Sequence, residues 1–363
     1  MIDRRRVMIG GGIGLASALG GTAAWRRSTS LSSYEAAARA MRSALRGDPQ
    51  IHDLIRFATL AANGHNTQPW RFHVEGRAIR IAPDFARRTP VVDPDDHHVF
   101  ASLGGAAENL AIAAAAQRRP ASVEFDSRQP SLIVRLGEGS GEFAALAAAI
   151  PRRQSTRANY DGRPLAVGQL KLLEQAAEVG GIDTVLLTDR RAITRVKQLV
   201  IAGNSAQLRD RAFIAELRAW LRFSPAEALR TRDGLFSATS GNPVAPNWLG
   251  RQLFDRLFDA DAENAKYASA IDSSAGVAVF VAERADPEHW AAAGRASQRF
   301  ALQATALGLT CAYLNQPVEV AGLRNDLAAL AGLPGRRPDI VMRFGRGATL
   351  PFSLRRPVPE LLV

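Results

Sequence analysis

The chain has 363 residues, 47% of them hydrophobic, enough to bury a sizeable core in one large domain or two smaller ones. Its formal net charge is +11, but the arginines are scattered among acidic residues and no basic helix with interleaved aromatics appears, so the charge does not describe a nucleic-acid binder. The single cysteine, Cys311, excludes an internal disulfide, and no Cys/His group shows metal-ligand spacing, so no metal site is expected.

Residues 1–27 hold five arginines against one aspartate and read as lying outside the fold. Arg4-Arg5-Arg6 precede 19 uncharged residues, Val7 to Trp25, and Arg26-Arg27 close the run. As a helix this stretch would span about 28 Å, close to bilayer thickness, yet it holds six glycines and is only mildly apolar. A charged head, a mild apolar core and small residues near Gly21-Thr22-Ala23-Ala24 describe an export signal, and the arginines before Val7-Met8 look like a twin-arginine signal. No clean Ala-x-Ala site is visible, so an uncleaved membrane anchor over residues 7–25 stays open, as does a buried N-terminus of a cytoplasmic protein.

Leu31 to Leu45 and Gln50 to Ala62 read as helices separated by Gly47-Asp48-Pro49. There follows the loop Asn63-Gly64-His65-Asn66-Thr67-Gln68-Pro69-Trp70. Gly and Asn permit unusual dihedrals and Pro fixes the exit, so the loop would present the amides of Asn66 and Gln68, with donors and acceptors, at a fixed place. A flat heterocycle with imide and carbonyl edges suits that equipment; an ordinary capped turn before a strand suits it too, and residue types alone leave both open.

Arg71 to Val74 and Ala78 to Ile81 alternate around Glu75-Gly76 as a hairpin. His97-His98, adjacent, would face opposite ways on a strand. Leu103 to Arg118 is a helix rich in glycine and alanine that can pack closely, and Ser122 to Phe125 with Leu132 to Leu136 makes a second hairpin. Phe143 to Ile150 leads to Pro151-Arg152-Arg153-Gln154-Ser155-Thr156-Arg157, where three arginines beside hydroxyls suit an anion or, equally, a solvated linker. Gly168 to Glu178 is helical, Thr184 to Leu187 a strand, and Arg190 to Leu221 one or two helices. Ser224 to Asn247 loses periodicity and reads as a long functional loop or lid, with Leu235, Phe236 and Trp248 able to cover a ligand. Gly276 to Ala282 is a buried strand, and Pro287 to Leu307 is a helix ended by Gly308. Cys311, in an apolar run, reads as a small buried hydrophobe. A strand from Ala312 runs into Asn315-Gln316-Pro317-Val318-Glu319, Ala321 to Ala331 is helical, Asp339 to Phe344 is a strand, and Arg355-Arg356-Pro357 lies near the end. This order argues an α+β fold with helices over a sheet, and no Gly-x-Gly-x-x-Gly follows a strand.

Taken together, the motifs resemble the nitroreductase superfamily, specifically its tandem, Acg-like FMN-binding branch. Ala61 to Trp70 is similar to that family's Ala-Pro-Ser-x-x-Asn-x-Gln-Pro-Trp motif, with Ala62 for Pro and Asn63 for Ser. Arg152-Arg153 with Arg157 resembles the motif that opens a nitroreductase domain. Asn315 to Glu319, followed by Leu323-Arg324, resembles the segment beside the flavin ring, and Arg355-Arg356-Pro357 the closing basic pair.

The resemblance implies an α+β, nitroreductase-like fold of two degenerate halves, residues 28–150 and 151–363, with a lid at about 224–250, forming an intrachain pseudo-dimer around one FMN site. Gln50 to Arg56 has no arginine pair and Leu172 to Thr188 no Asn-x-Gln-Pro loop, so a second site is not expected. It further implies that Arg152, Arg153, Arg355 and Arg356 meet the phosphate, that Arg157 approaches the ring or ribityl chain, and that Asn63, Asn66, Gln68, Gln316 and Glu319 line the flavin. No protein residue is expected to carry the chemistry. The implied activity is FMN-dependent two-electron reduction of a nitro- or quinone-like small molecule with NAD(P)H as donor; the alternative is an FMN-holding protein with an occluded site and little turnover. A monomeric pseudo-dimer, handed to export machinery through its N-terminus and residing in the periplasm or cell envelope, completes the expectation.

Overall fold

Alternating apolar side chains build the first sheet. In β1 (Trp70–Glu75) Trp70 and Phe72 are buried while the residues between them are partly exposed, and β2 (Ala78–Pro83) repeats the pattern with Ile79 and Ile81. The two pair antiparallel across a tight turn at Gly76 (φ +58°), and β3 (Ala121–Asp126) and β4 (Ser131–Leu136) complete an antiparallel sheet of order β1-β2-β4-β3. The structure is a computed structural model describing residues 30–45, 47–139, 143–257 and 259–363. The export signal read over residues 1–27 lies outside the described residues, and among the described ones no helix is long and apolar enough to cross a membrane.

A second antiparallel sheet, β5 (Ile182–Leu187), β8 (Gly276–Ala282), β9 (Thr310–Tyr313) and β10 (Pro338–Gly345), has order β5-β8-β10-β9. In both sheets the chain visits positions one, two, four and three. In both, a long helix intervenes between the second and third strands: α3 (His97–Ala115) in the first half and α11 (Pro287–Ala306) in the second. These helices lie back to back between the sheets. Trp290, Ala291 and Leu302 of α11 join the core of the first sheet, and Ala101 of α3 joins that of the second. They cross at Gly104 and Gly294, where an added Cβ would stand 1.9 Å from the Ala291 carbonyl oxygen and 1.9 Å from the Ala101 carbonyl oxygen respectively. Only glycine permits backbones that close.

The second half lends its C-terminal tail to the first sheet, and the segment after the Arg152-Arg153 pair joins the edge of the second. Val363 and Leu361 bracket Phe72 of β1 (Phe72 N–H to Leu361 O, 2.8 Å; Val363 N–H to Phe72 O, 3.1 Å), a parallel bridge at the edge of the first sheet. Ser155 bridges Cys311 in parallel at β9, with Thr156 N–H to Cys311 O at 2.8 Å. Helix α1 (Ser32–Met41) packs its Tyr34 and Ala38 on Ala228, Phe236 and Leu354 of the second half, not on the first sheet. Helices α2 (Ile51–Thr59) and α5 (Val167–Ala176) fall where the sequence places them, and α4 (Ala144–Ala149) forms just before the arginine motif.

The connection between the second half's first two strands, residues 188–275, holds α6 (Arg190–Arg209), α7 (Arg211–Trp220), β6 (Leu221–Arg222), α8 (Pro225–Thr231), β7 (Leu235–Phe236), α9 (Asn247–Leu257) and α10 (Ala260–Asp272). The irregular stretch read over Ser224 to Asn247 is therefore structured: Ser224 caps α8 with Pro225 at its first turn, and β7 pairs in parallel with β6. Helices α12 (Gln316–Glu319) and α13 (Arg324–Leu330) follow β9.

Candidate functional site

A cavity of about 1200 Å³ opens between the halves, and the loop Asn63 to Asn66 forms part of its wall. The loop is strained. His65, Asn66 and Gln68 all take left-handed φ (45°, 55° and 56°), although none is glycine. Hydrogen bonds from both neighbours hold it there. Asn66 Nδ2 donates to Gly234 O (3.0 Å) and Leu354 O (3.2 Å), and Gly234 N–H returns a bond to Asn66 O (3.1 Å). Asn63 Oδ1 accepts from Gln68 N–H at 2.9 Å and closes the turn from within. Arg87 ties the same loop to Asp233 through Thr67 O and the Asp233 carboxylate. Residues 232–235, within the stretch read as a lid at about 224–250, are thus fastened to the loop.

At one end of the cavity three buried guanidinium groups converge: Arg42 (9% exposed), Arg153 (4%) and Arg355 (4%). None makes an ion pair with a carboxylate among the described residues. Their hydrogen bonds go to carbonyls: Arg42 to Pro151 O (3.1 Å), Arg153 to Leu60 O (2.9 Å), and Arg355 to Thr59 O (2.6 Å) and Ala61 O (3.0 Å). Arg42 also lies over the Phe352 ring at 4.2 Å. The Nε atoms of Arg42 and Arg153 are buried without a partner. Burial pulls the Arg355 pKa down to about 9, with Arg153 adding repulsion; burial, then Arg355 and Arg153, lowers that of Arg42. Concentrated, unneutralised positive charge in a dry place is unfavourable by several kcal/mol per ion unless an anion joins it.

A further part of the cavity's wall comes from the residues after β9. Gly203 of α6, where a Cβ would stand 2.8 Å from the Gln316 side chain, lets α6 close on α12. Gln316 is buried and its Oε1 has no partner; Asn66 Oδ1, also lining the cavity, is likewise buried and unpartnered. Glu319 accepts from Gln207 Nε2 (2.6 Å) and meets His98 Nε2 at 3.4 Å. Burial opposes charge on both partners, but their mutual hydrogen bond prevails, raising the His98 pKa and lowering that of Glu319. His65 is different: burial pulls its pKa to about 4, so it is neutral above that pH, and its Nδ1 has no partner. Arg157, exposed, lines the rim and donates to Ser240 Oγ at 3.2 Å.

No family model matches the chain. Two Mycobacterium tuberculosis proteins are similar over most of their length. "Putative NAD(P)H nitroreductase Rv3131" is 26% identical over 328 residues, covering 86% of this chain and 90% of the relative. "Putative NAD(P)H nitroreductase acg" is 24% identical over 329 residues, covering 86% and 94%. The chain is thus similar, over most of its length, to proteins named as putative NAD(P)H nitroreductases, acg among them. Among solved structures, the FMN-dependent nitroreductase NfnB from Mycobacterium smegmatis in complex with NADPH aligns at 14% identity and a TM-score of 0.37, covering 56% of this chain and 88% of that one.

Of the nitroreductase motif residues, the cavity gathers Asn63, Asn66, Arg153, Arg157, Gln316, Glu319 and Arg355. Three do not line it. Arg152 is exposed and donates to Ala148 O (3.1 Å), because the turn that buries Arg153 points its neighbour outward. Gln68, fully buried, is consumed by Arg232 O (2.9 Å) and by the Arg356 N–H (2.7 Å). Arg356 turns toward Asp84 (3.9 Å) and Glu360 (3.7 Å). Arg42, His65 and His98 line the cavity without having been singled out. Arg42 carries no local signal, since only the return of residues 351–355 past the end of α1 brings it to the site. The two histidines were not linked because His97-His98 opens α3, its N-terminus capped by Asp93 (His98 N–H to Asp93 Oδ2, 2.9 Å), and is not on a strand. Asp93, His97 and His98 place ligand-type atoms within 4.8 Å of one another, but Asp93 is used by the cap and His97 by Asp339 (3.0 Å).

Proposed function

We propose that the chain is an FMN-dependent oxidoreductase of nitroreductase type, with one FMN per chain between its halves. The observation that carries this reading is the cluster Arg42, Arg153 and Arg355: three buried cations without a carboxylate fit a phosphate dianion, and the two unpartnered Nε–H groups are donors for it. The opposite features also fit. Asn66 Oδ1 and Gln316 Oε1 are open acceptors for hydroxyl or imide N–H donors, and the Arg157 guanidinium at the rim can stabilise negative charge on a heterocycle. The relatives named as NAD(P)H nitroreductases support a nicotinamide donor.

When bound, FMN would supply two-electron transfer at its N5 position. The chain's residues bind, orient and shield. The arginine cluster fixes one end, while Asn63, Asn66 and Gln316 set the orientation of the other. The fastened 232–235 segment restricts water on one side. His65, neutral at physiological pH, has a buried Nδ1 without a partner, and the His98–Glu319 pair holds a proton near it.

Protein purified as it is made should be yellow and release about one FMN per chain; two per chain, or colourless protein that takes up no FMN, overturns the reading. The hydrogen-bonded 232–235 segment favours a second reading, an FMN-holding protein with little turnover. Bleaching by dithionite without oxidation of NADH or NADPH under any acceptor would select it. We also propose export through the twin-arginine signal, resting on Arg4-Arg5-Arg6 before Val7-Met8. Arg5→Lys with Arg6→Lys should then leave the protein in the cytoplasm, and unchanged fractionation would refute it.

A further inference from the structure

The cavity is larger than one cofactor requires: about 1200 Å³ against roughly 300–1,000 Å³ for a single-ligand pocket. Much of its wall is drawn from residues 213–254, none of which belongs to the arginine cluster. Phe213, Leu217 and Leu221 recur at four-residue spacing from α7 into β6. Leu221 is in register with Leu235 of β7, so the apolar row continues onto the neighbouring strand. Beyond it stands Phe223, whose ring lies 6.3 Å from that of Phe254 on α9. Gly250 brings α9 onto this ring: a Cβ there would meet Phe223 at 2.4 Å. All six side chains line the cavity, and Leu253, 42% exposed, lines it as well, so this arm reaches solvent. Glu263 and Lys266, which also line the cavity, pair with each other at 2.6 Å on α10. Ser237, Thr239, Ser240 and Asn242 line the same stretch, but the Ser237 and Thr239 hydroxyls donate to Arg222 O and Phe236 O and Ser240 Oγ accepts from Arg157, so the wall has few hydrogen bonds left for a polar ligand and much apolar area for a chain.

We propose that this arm binds the aliphatic tail of the acceptor, so that the preferred substrate is a small flat electron-accepting ring carrying an unbranched apolar chain. The inference deepens the oxidoreductase reading and rests on it for the ring end alone; the tail end rests on the arm. Chain length is what the arm measures. Each methylene it buries strengthens binding by up to about fourfold, until the chain reaches solvent near Leu253.

The test is equilibrium binding of ethyl, butyl and hexyl 4-nitrobenzoate to the protein as purified, by calorimetry, together with flavin content on the same sample. The dissociation constant should fall at least tenfold from the ethyl to the hexyl ester. Leu217→Asn, and separately Phe223→Ser, should flatten that series while keeping flavin content and affinity for the ethyl ester within about twofold. The second variant guards against one that fails to fold. Flavin-loaded protein whose affinity ignores chain length, or variants that leave the series steep, overturns the arm and leaves the oxidoreductase reading intact. A steep series in protein that takes up no FMN has the reverse meaning: the arm stands and the flavin reading falls.

Discussion

The two halves run the same strand order and part company over one connection. In the first half β1 meets β2 through the turn at Gly76, and the sheet buries one face on α3. In the second half the equivalent connection, residues 188–275, wraps back over the sheet. Val277, Val279 and Val281 of β8 pack on Ile193, Val196 and Val200 of α6, while Ala278 and Phe280 pack on α11. The sequences show the difference: β1 alternates, whereas β8 and β10 are buried along their whole length. The cofactor-type loop has the opposite distribution, preceding β1 and having no counterpart before β5. One half thus keeps the loop, and the other supplies most of the basic residues and the wall that faces it. An asymmetric pair with one built cavity is the consequence.

The largest expected effect breaks what the halves still share. Gly104→Val or Gly294→Val places a branched side chain where a backbone oxygen already stands 1.9 Å from Cβ. Overpacking of this kind costs about 3 kcal/mol or more, because neither helix can withdraw without leaving its sheet. Denaturant midpoints should fall steeply for both variants. A loss at one glycine only would show that the crossing is not pseudo-symmetric. The second effect separates the two arginines of one motif. Arg153→Glu should lower FMN affinity by more than about 100-fold, by adding negative charge beside the phosphate position. Arg152→Glu should leave it within about twofold, since Arg152 is exposed and bonded to Ala148 O. Equal losses would return Arg152 to the site.

How much of this was legible depended on whether the signal was local. Both hairpins of the first sheet, the buried strand β8 and the helix ending at Gly308 follow from alternation, apolar runs and punctuation that neighbouring residues carry. Helices α9 and α10 gave no such signal: α9 leaves Trp248 (63% exposed) and Leu253 outward, so its apolar residues do not mark one buried face. The site was legible at the level of motif but not of direction. Arg152 and Arg153 differ by one position, and the turn after α4 buries only the second. Gln68 has the chemistry of a ligand-binding amide, yet at φ 56° its side chain turns back onto Arg232 and the C-terminal tail. Arg42 lies beyond any motif because its partners are contributed by residues 151 and 352.

A smaller effect probes the loop that only the first half retains. Asn66→Ala removes the bonds to Gly234 O and Leu354 O and asks a side chain without local hydrogen bonding to hold φ 55°. The expected cost is about 2 kcal/mol, read by thermal or denaturant unfolding. Asn66→Gly should recover part of it, because glycine accepts that φ. If the two variants are equally unstable, the hydrogen bonds and not the backbone conformation dominate.

The smallest effect is a pH dependence carried by the same loop. His65 titrates at about 4 in the folded chain against an ordinary 6.5, first because it is buried and then, opposing the pull of Glu319, because Arg157 and His98 stand near it. Between those values the unfolded chain binds the proton and the folded chain does not, so stability is complete above about 6.5, declines as the pH falls, and levels off below about 4. The loss should reach about 1–2 kcal/mol, less than the full shift implies because the residue as a whole is only half-buried and solvent screens part of the effect. His98 has the opposite sign: its raised pKa contributes stability at low pH that is lost as the pH rises through it. His65→Gln should therefore flatten the decline from pH 6.5 to 4 and leave the high-pH limb unchanged, as measured by urea unfolding across the range. A decline that survives the substitution would assign the acid sensitivity to another group. The second half has nothing to replace His65 in this role, since the short connection before β5, residues 177–181, holds no histidine.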